Sequence, residues 1–409
     1  MLQTVDIGVE SLSNYRSFLA EEKVEEIKRL ARELRGARIL HLNATPYGGG
    51  VSELLRSQVP LLRDLGLHVD WKVIFGDEKF FGITKSFHNA LQGGEFILGD
   101  DVKEVYLSYN TRNAELLEEQ YDYIIVHDPQ PLALLHFKGR GNSKWLWRCH
   151  IDTSEPNQEV WDFLKPFIQE YDAAVFTMDK FVPPDLQVPR ISIIPPAIDP
   201  LSPKNMAISA NTCRRVISWV GVDLRKPLLT QVSRFDPWKD PLGVINVYRM
   251  VKEDIPNLQL ALVGSMALDD PEAWDIYSRI LEYAKSDSDA YVFTNLTGVG
   301  NIEVNAFQQL SLVVIQKSIR EGFGLVVSET LWKATPVVAG RTGGIPMQLE
   351  DGVSGFLCES TEDYARKISY LFHNEEEAKT MGERGKEKVR EEFLTPRLIA
   401  DELRCLCSL

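Results

Sequence analysis

Gln316 to Trp332 reads QKSIREGFGLVVSETLW, and the fold turns on this stretch. An apolar run, Leu310 to Ile315, leads into it and has the length of a buried strand. A strand, a glycine-punctuated turn (EGFG) and a short apolar-periodic helix are therefore predicted in succession. That succession is suited to anions, because the first backbone N–H groups of a helix have no internal partner and the helix dipole favours negative charge there. Gly322 and Gly324 let a phosphate or a sugar approach the main chain closely. Glu321 stands at the mouth of the turn. Glu329 falls about one helical turn further in, from where its carboxylate can reach back toward a ligand on the helix N-terminus. Either glutamate alone reads as a solvated charge; the glycines between them favour a site.

Working outward, the chain of 409 residues is long for one core and predicts two domains of roughly 200 residues each. A hydrophobic fraction of 44% and a charged fraction of 25% are ordinary for a globular protein. The net charge of −14 argues against nucleic acid or an anionic membrane as the main partner, so any phosphate site must be a local island of positive charge. Five scattered cysteines without a CxxC pair argue against a disulfide framework or a zinc site. No signal-peptide pattern and no apolar run of membrane-span length is visible, which makes a reducing cytoplasm the default compartment.

The N-terminal half has an α/β rhythm. Residues 1–20 show no strong period. Glu21 to Arg35 reads as a helix with acidic residues early and basic residues late, stopped by Gly36. The strand Ala37 to Leu42 runs into NATPYGGG and a helix opening near Val51, so Gly48, Gly49 and Gly50 lie between a strand and a helix, as in phosphate- or sugar-binding turns. A strand over Leu67 to Phe75 and helices over Glu78 to Leu91 and Thr111 to Glu119 follow. Three more strands end in polar residues: Tyr121 to Val126 before His127-Asp128, Trp145 to Cys149 before His150-Ile151-Asp152, and Tyr171 to Phe176 before Thr177. Ligands of open α/β sheets bind just past the carboxyl ends of the strands. His127 and His150, with Asp128 and Asp152, are read as site residues, and His41 and His68 as structural.

Residues 200–212, rich in Pro, Ser and Asn, suit a linker. A second rhythm begins at Pro227. The strand Leu228 to Ser233 passes through RFDPWKDP into a helix over Leu242 to Lys252. Arg234 and Lys239 flank that loop at a helix N-terminus, where the dipole disfavours cations, and an anionic ligand would account for both. Further strands are read at Leu258 to Val263, Tyr291 to Phe293, Pro336 to Ala339 and Phe356 to Cys358, and a last helix from Thr395 to about Leu406.

RFDPWKDP, LALVGS, REGFGLVVSE, TPVVAGRTGGIP and EDGVSGFL, in this order, resemble the C-terminal domain of retaining nucleotide-sugar glycosyltransferases of the GT-B fold. The spacing from Glu321 to Glu329 matches that superfamily's signature. ILHLNATPYGGGVSELL, IIVHDPQPLALL and RCHIDTSEPN resemble, more narrowly, the trehalose-forming glycosyltransferring synthases and the related trehalose phosphorylases. One departure is Lys333-Ala334-Thr335-Pro336, where such enzymes usually carry Gly before the x-Pro.

The resemblance implies an α/β architecture of two Rossmann-like β/α/β domains facing across a deep cleft. An acceptor domain over 1–212, a donor domain over 213–390 and a C-terminal helix over 391–409 returning to the first domain would follow. Arg234 and Lys239 would bind the donor diphosphate, aided by the backbone at Gly322, Phe323, Gly324 and Leu325. Glu321 would hold donor-sugar hydroxyls and Glu329 the ribose. His150 would lie over the donor sugar, with Gly49 and Gly50 near the phosphate. Asp128, Asp152 and Gly48 would face the acceptor. Family precedent is attack on the face from which the phosphate leaves, the phosphate oxygen taking the acceptor's proton. No cofactor is implied as obligatory and no metal ligand is assigned; Mg²⁺ accompanying the nucleotide and a homodimer stay open. The leading expectation is glucose transfer from ADP- or UDP-glucose to glucose, giving α,α-trehalose reversibly. A phosphorylase working through glucose 1-phosphate and a GT-B nucleotide-sugar epimerase are the alternatives.

Overall fold

The alternation of apolar strands and amphipathic helices resolves into two sheets in the computed structural model, which describes every residue except Gly48 and 267–270. The expected place of Gly48 in the acceptor group therefore lies outside the described residues. By contacts the chain divides into two compact units, one comprising Met1–Ala197 and Thr395–Leu409, the other Ile198–Leu394.

The first unit holds β1 (Gln3–Thr4), β2 (Arg38–Asn43), β3 (His68–Val73), β4 (Tyr123–His127), β5 (Lys144–Arg148), β6 (Ala173–Phe176) and β7 (Ile191–Ile193). Their order is β1-β3-β2-β4-β5-β6-β7, with only β1 antiparallel to its neighbour. The strand order reverses between β2 and β4. The parallel strands read as near-continuous apolar runs because helices cover both faces of the sheet. One core packs Trp145, Trp147 and Trp161 with Phe80, Phe87 and Tyr106. The helix Thr395–Cys407 lies against the helices Glu21–Glu33 and Gly50–Asp64 of this unit.

The second unit holds β8 (Leu228–Val232), β9 (Gln259–Gly264), β10 (Ala290–Thr294), β11 (Val313–Gln316), β12 (Val337–Gly340) and β13 (Phe356–Cys358). All are parallel, in the order β10-β9-β8-β11-β12-β13, and the reversal falls between β8 and β11. Separate apolar clusters pack on its two faces, one around Tyr248 and Ile315, the other around Ile217 and Phe307.

Several elements depart from expectation for physical reasons. The helix expected over Thr111 to Glu119 runs over Asp100–Leu116, and its buried side carries Asn110 and Asn113 beside Tyr106. Asn113 donates to and accepts from the Phe75 backbone, so the inner stripe is partly polar and its period is blurred. The stretch expected as a linker ends inside a helix, Ala210–Trp219, whose N-cap Ser209 accepts from the Thr212 amide. Ala334, at the departure noted above, takes a left-handed φ of 58° just beyond the helix Leu325–Trp332, a conformation costing an L-residue about 1–2 kcal/mol. No helix among the described residues is long and apolar enough to cross a membrane.

Candidate functional site

In the second unit the chain reversal opens the sheet between β8 and β11, which places the loops after these two strands side by side. The loop after β8 carries Arg234 and Lys239; the loop after β11 carries Glu321 and the EGFG turn. Lys239 Nζ donates to Glu321 Oε2 at 2.6 Å, and Ser318 Oγ donates to the same oxygen at 3.1 Å. Both charged side chains are largely withdrawn from water, at 17% and 13% exposure, so this bond belongs to the strong, charge-assisted class. Arg234 is half exposed, and its nearest carboxylate is Asp236 at 3.4 Å. The structure thus joins Lys239 to Glu321 past the ends of β8 and β11, with Arg234 on the same loop as Lys239.

The helix Pro241–Asp254 behind this loop has its own cap: Asp240 Oδ1 accepts from the Gly243 amide at 3.0 Å, and Asp240 also pairs with Lys317. A carboxylate of the chain itself therefore occupies that helix N-terminus, and Lys239 is turned to Glu321 instead. The helix Leu325–Trp332 is different. Gly324 stands at its N-cap with φ 84° and gives no side-chain cap. Gln348 holds this turn from behind: its Oε1 accepts from Ser328 N and Oγ at 2.9 and 2.6 Å, and its Nε2 donates to Phe323 O at 2.5 Å. The Gly343-Gly344 turn backs the same segment. Gly344 N donates to Gly322 O at 3.1 Å, and a Cβ on Gly343 would sit 1.6 Å from the Glu321 carbonyl oxygen. Only glycine permits that approach, so the second glycine turn fixes the backbone under Glu321.

Glu329 is 2% exposed and lies deeper than a surface carboxylate. Gln308 Nε2 donates to one of its oxygens at 3.1 Å and Lys204 Nζ lies 3.5 Å from the other. Lys333, one turn on, donates to Glu329 O at 2.9 Å and to Asn205 Oδ1 at 3.0 Å. Burial lowers the Lys333 ammonium to about 7, with the Glu329 charge opposing the shift and Lys204 adding to it. A lysine whose folded pKa is depressed binds fewer protons than in the unfolded chain between about 7 and its ordinary value of 10.5, so its contribution to stability rises with pH across that window. Lys333→Met is expected to flatten the wild-type rise, which is bounded by ~1.4 kcal/mol per pH unit for one proton. Denaturant midpoints of both proteins between pH 7 and 10 check this; parallel curves would contradict it.

In the first unit the reversal between β2 and β4 gathers the residues past the strand ends. Gly49, with φ 89°, is the N-cap of the helix Gly50–Asp64, and Gly50 is its first residue. Asp128 follows β4 with φ 63°, a left-handed conformation that Asp tolerates better than most side chains. It is held there: its Oδ1 accepts the His150 amide at 2.8 Å, and its carbonyl accepts Trp147 Nε1 at 3.0 Å. Burial pushes the Asp128 carboxyl up to about 7, against the pull of the His150 N–H and of Arg148. Asp152 is buried, and its Oδ1 accepts from Ser154 N and Oγ at 3.1 and 2.6 Å.

The histidines form a chain. His41 Nδ1 lies 3.1 Å from His127 Nε2, and His127 Nδ1 lies 3.0 Å from His150 Nε2. Register explains this. His41 on β2 pairs with Ile125 on β4, and His127 pairs with Arg148 on β5. Each next histidine is thus two residues further along the neighbouring strand and on the same face. Burial pushes the His127 and His150 imidazoles well below their ordinary range, with Arg148 adding to both shifts. His41, expected to be structural, is buried inside this chain, while His68 is exposed at the start of β3. Sequence reasoning missed Gln348, Gln308, Lys204 and Lys317. Lys317 lies inside the opening stretch and the other three stand in no motif; each reaches its partner only through the tertiary fold. Among the described residues no cluster of three or more His, Cys, Asp or Glu is arranged to hold a metal ion.

Two family models match the chain. Residues 41–183 match the N-terminal domain of trehalose synthase, and residues 219–388 match glycosyl transferases group 1. A trehalose synthase from Rubrobacter xylanophilus is 55% identical across 100% of this chain and 99% of its own length. One from Pyrococcus horikoshii is 46% identical across 98% and 97%. Among solved structures, an α,α-trehalose-phosphate synthase (UDP-forming) from Burkholderia xenovorans, in complex with glucose-6-phosphate, superimposes with a TM-score of 0.73 at 14% identity, covering 91% of this chain and all of that one. The fold is that of the GT-B glycosyltransferases, as the order of motifs implied.

Proposed function

The chain belongs to the trehalose synthase family of glycosyltransferases, and on that premise we propose that it moves glucose from a nucleoside-diphosphate glucose to free glucose, forming α,α-trehalose with retention at the anomeric carbon. The observation that carries this reading is the Lys239–Glu321 pair, with Arg234 on the loop that carries Lys239, at the strand reversal of the second unit. Cleavage of a sugar–phosphate bond builds negative charge on the leaving diphosphate. Lys239 and Arg234 are cations already in place to meet it, and preorganised charge costs no reorganisation during the reaction. Glu321 has one oxygen on Lys239 and Ser318; the carboxylate is free to accept sugar hydroxyls with the other. The amides at Gly324 and Leu325 add the positive end of the helix Leu325–Trp332.

In this reading Glu329 takes the ribose hydroxyls, and a shift of Lys204 or Gln308 makes room for them. His150 meets the donor sugar, Asp128 and Asp152 the acceptor, and Gly49 and Gly50 the phosphate. The acceptor hydroxyl attacks on the face the phosphate leaves, and its proton passes to the leaving oxygen. Arg234 and Lys239 supply the compensating charge, so no cofactor is obligatory and Mg²⁺ at most accompanies the nucleotide.

A donor screen tests the proposal. ADP-glucose and UDP-glucose are each incubated with glucose, beside glucose 1-phosphate with glucose. Trehalose with an equal amount of free nucleotide is expected from at least one of the first two. Trehalose arising solely from glucose 1-phosphate would replace the transferase with a phosphorylase and leave Glu329 without a ribose to hold. A changed sugar nucleotide without acceptor would mark an epimerase.

A further inference from the structure

The histidine chain does not end at His41. On its far side lies Glu402, from the helix Thr395–Cys407, with Oε1 3.4 Å from His41 Nε2. Both side chains are buried, and neither of these two atoms has a hydrogen-bond partner among the described residues, so two unpaired buried polar atoms face each other. The other carboxylate oxygen of Glu402 accepts from the Gln58 amide, and Arg148 Nη1 lies 3.9 Å from it. Burial alone would raise the Glu402 carboxyl; His41, Arg148 and Gln58 together outweigh burial and hold it below its ordinary range. The buried Arg148 guanidinium and the Gln58 N–H, both on one oxygen, favour the carboxylate form, and an ionised Glu402 only accepts hydrogen bonds.

A neutral imidazole donates from one nitrogen and accepts at the other. Each histidine–histidine contact needs one N–H and one lone pair, so the row has two self-consistent proton patterns. With all three imidazoles neutral, an ionised carboxylate at its inner end admits one of them. His41 must carry its proton on Nε2, toward Glu402. Its bare Nδ1 then accepts Nε2–H of His127, and the bare Nδ1 of His127 accepts Nε2–H of His150. The outer nitrogen of His150, Nδ1, is left with a lone pair. That nitrogen has no hydrogen-bond partner among the described residues, and His150 is the one member of the row that is partly exposed.

We propose that Glu402 is a positioning residue: acting through His41 and His127, it sets the tautomer of His150, so that His150 Nδ1 receives a hydroxyl of the bound sugar as a hydrogen-bond acceptor. This rests on the reading above that His150 meets the sugar. It gives the C-terminal helix a part in substrate binding without contact to the substrate. It also explains why two buried histidines share one sheet face with an acid from the other end of the chain.

Glu402→Gln tests it with nearly unchanged shape. Gln58 and Arg148 both present donors to one side of residue 402, so the new amide turns its oxygen to them and its NH₂ to His41. His41 Nε2 must then accept, and the whole row reverses, leaving His150 Nδ1 protonated. Two-bond ¹⁵N–¹H spectra of the full chain, assigned by single histidine replacements, read the tautomers. The wild-type protein is expected to show Nε2–H at His41, His127 and His150; Nδ1–H at any of the three overturns the proposal without recourse to a variant. In E402Q all three are expected to switch; His150 remaining Nε2–H overturns it as well. Turnover of E402Q is expected to fall about tenfold, the order of one hydrogen bond to substrate. In a His127→Phe background, which cuts the row, E402Q should add no further loss; an equal further loss there would show that Glu402 acts otherwise. Switched tautomers with wild-type turnover would overturn the contact between His150 and the sugar while leaving the donor assignment to be judged by the donor screen.

Discussion

Glu321→Gln is expected to lower kcat by ~10²–10³ while the protein stays folded, the loss seen when one preorganised polar group is taken from a charge-stabilising site. The substitution keeps the side chain's length and an oxygen for Ser318, and removes the charge that faces Lys239 at 2.6 Å. Two effects combine. Lys239 loses the partner that aims it, and the donor sugar loses a charged acceptor for its hydroxyls. Circular dichroism and a thermal midpoint near that of wild type would show that the fold survives, since the EGFG backbone is held independently by Gln348 and by the Gly344 amide. Steady-state kinetics with the nucleotide sugar give the effect. Wild-type turnover would remove Glu321 from the site.

Lys239→Ala is expected to be at least as damaging, with kcat/KM for the donor down by ~10³. The change deletes a cation held for the diphosphate, and it strands the Glu321 carboxylate, which is 13% exposed, next to the incoming phosphate. Lys239→Arg is expected to recover little, because a planar fork does not replace a compact ammonium at a 2.6 Å contact. The pair gives a sharper check. Residues sharing one bond are not additive, so the double variant of Glu321 and Lys239 should resemble the worse single variant. Losses that multiply would mean the two side chains act apart, against the shared geometry.

Much of this was legible in the sequence because parallel strands covered on both faces are written as apolar runs. YDYIIV and LLTQVS each gave a strand within a residue or two of its position, whereas the run Leu310 to Ile315 began three residues early because Leu310 closes the preceding helix; the glycine turns marked where the chain re-enters a helix. The helix Glu78–Leu91 matched its expected bounds, since Asp77 caps it and its buried face is apolar apart from Thr84. Where inner faces are polar, as at Asn110 and Asn113, the period failed. At the site, motif residues were visible and their supports were not. Gln348 is an ordinary glutamine on a four-residue helix until the fold brings it beneath Phe323 and Ser328. Asp240 was passed over as the cap of the helix Pro241–Asp254, so the helix N-terminus looked open to a ligand when a residue of the chain already fills it. Glu402 sits in a final amphipathic helix with nothing local to distinguish it, and its tie to His41 exists only because that helix packs on the first unit.

The central claim is retaining transfer from a nucleotide sugar to intact glucose, and the fate of a labelled anomeric carbon measures it most directly. The donor carries ¹³C at C1, the acceptor glucose is unlabelled, and the reaction is followed by ¹³C NMR. The account predicts one enriched carbon per disaccharide, in the α,α linkage, appearing in step with free nucleoside diphosphate. A β configuration at that carbon, or label that never leaves the nucleotide while glucose is present, would contradict it.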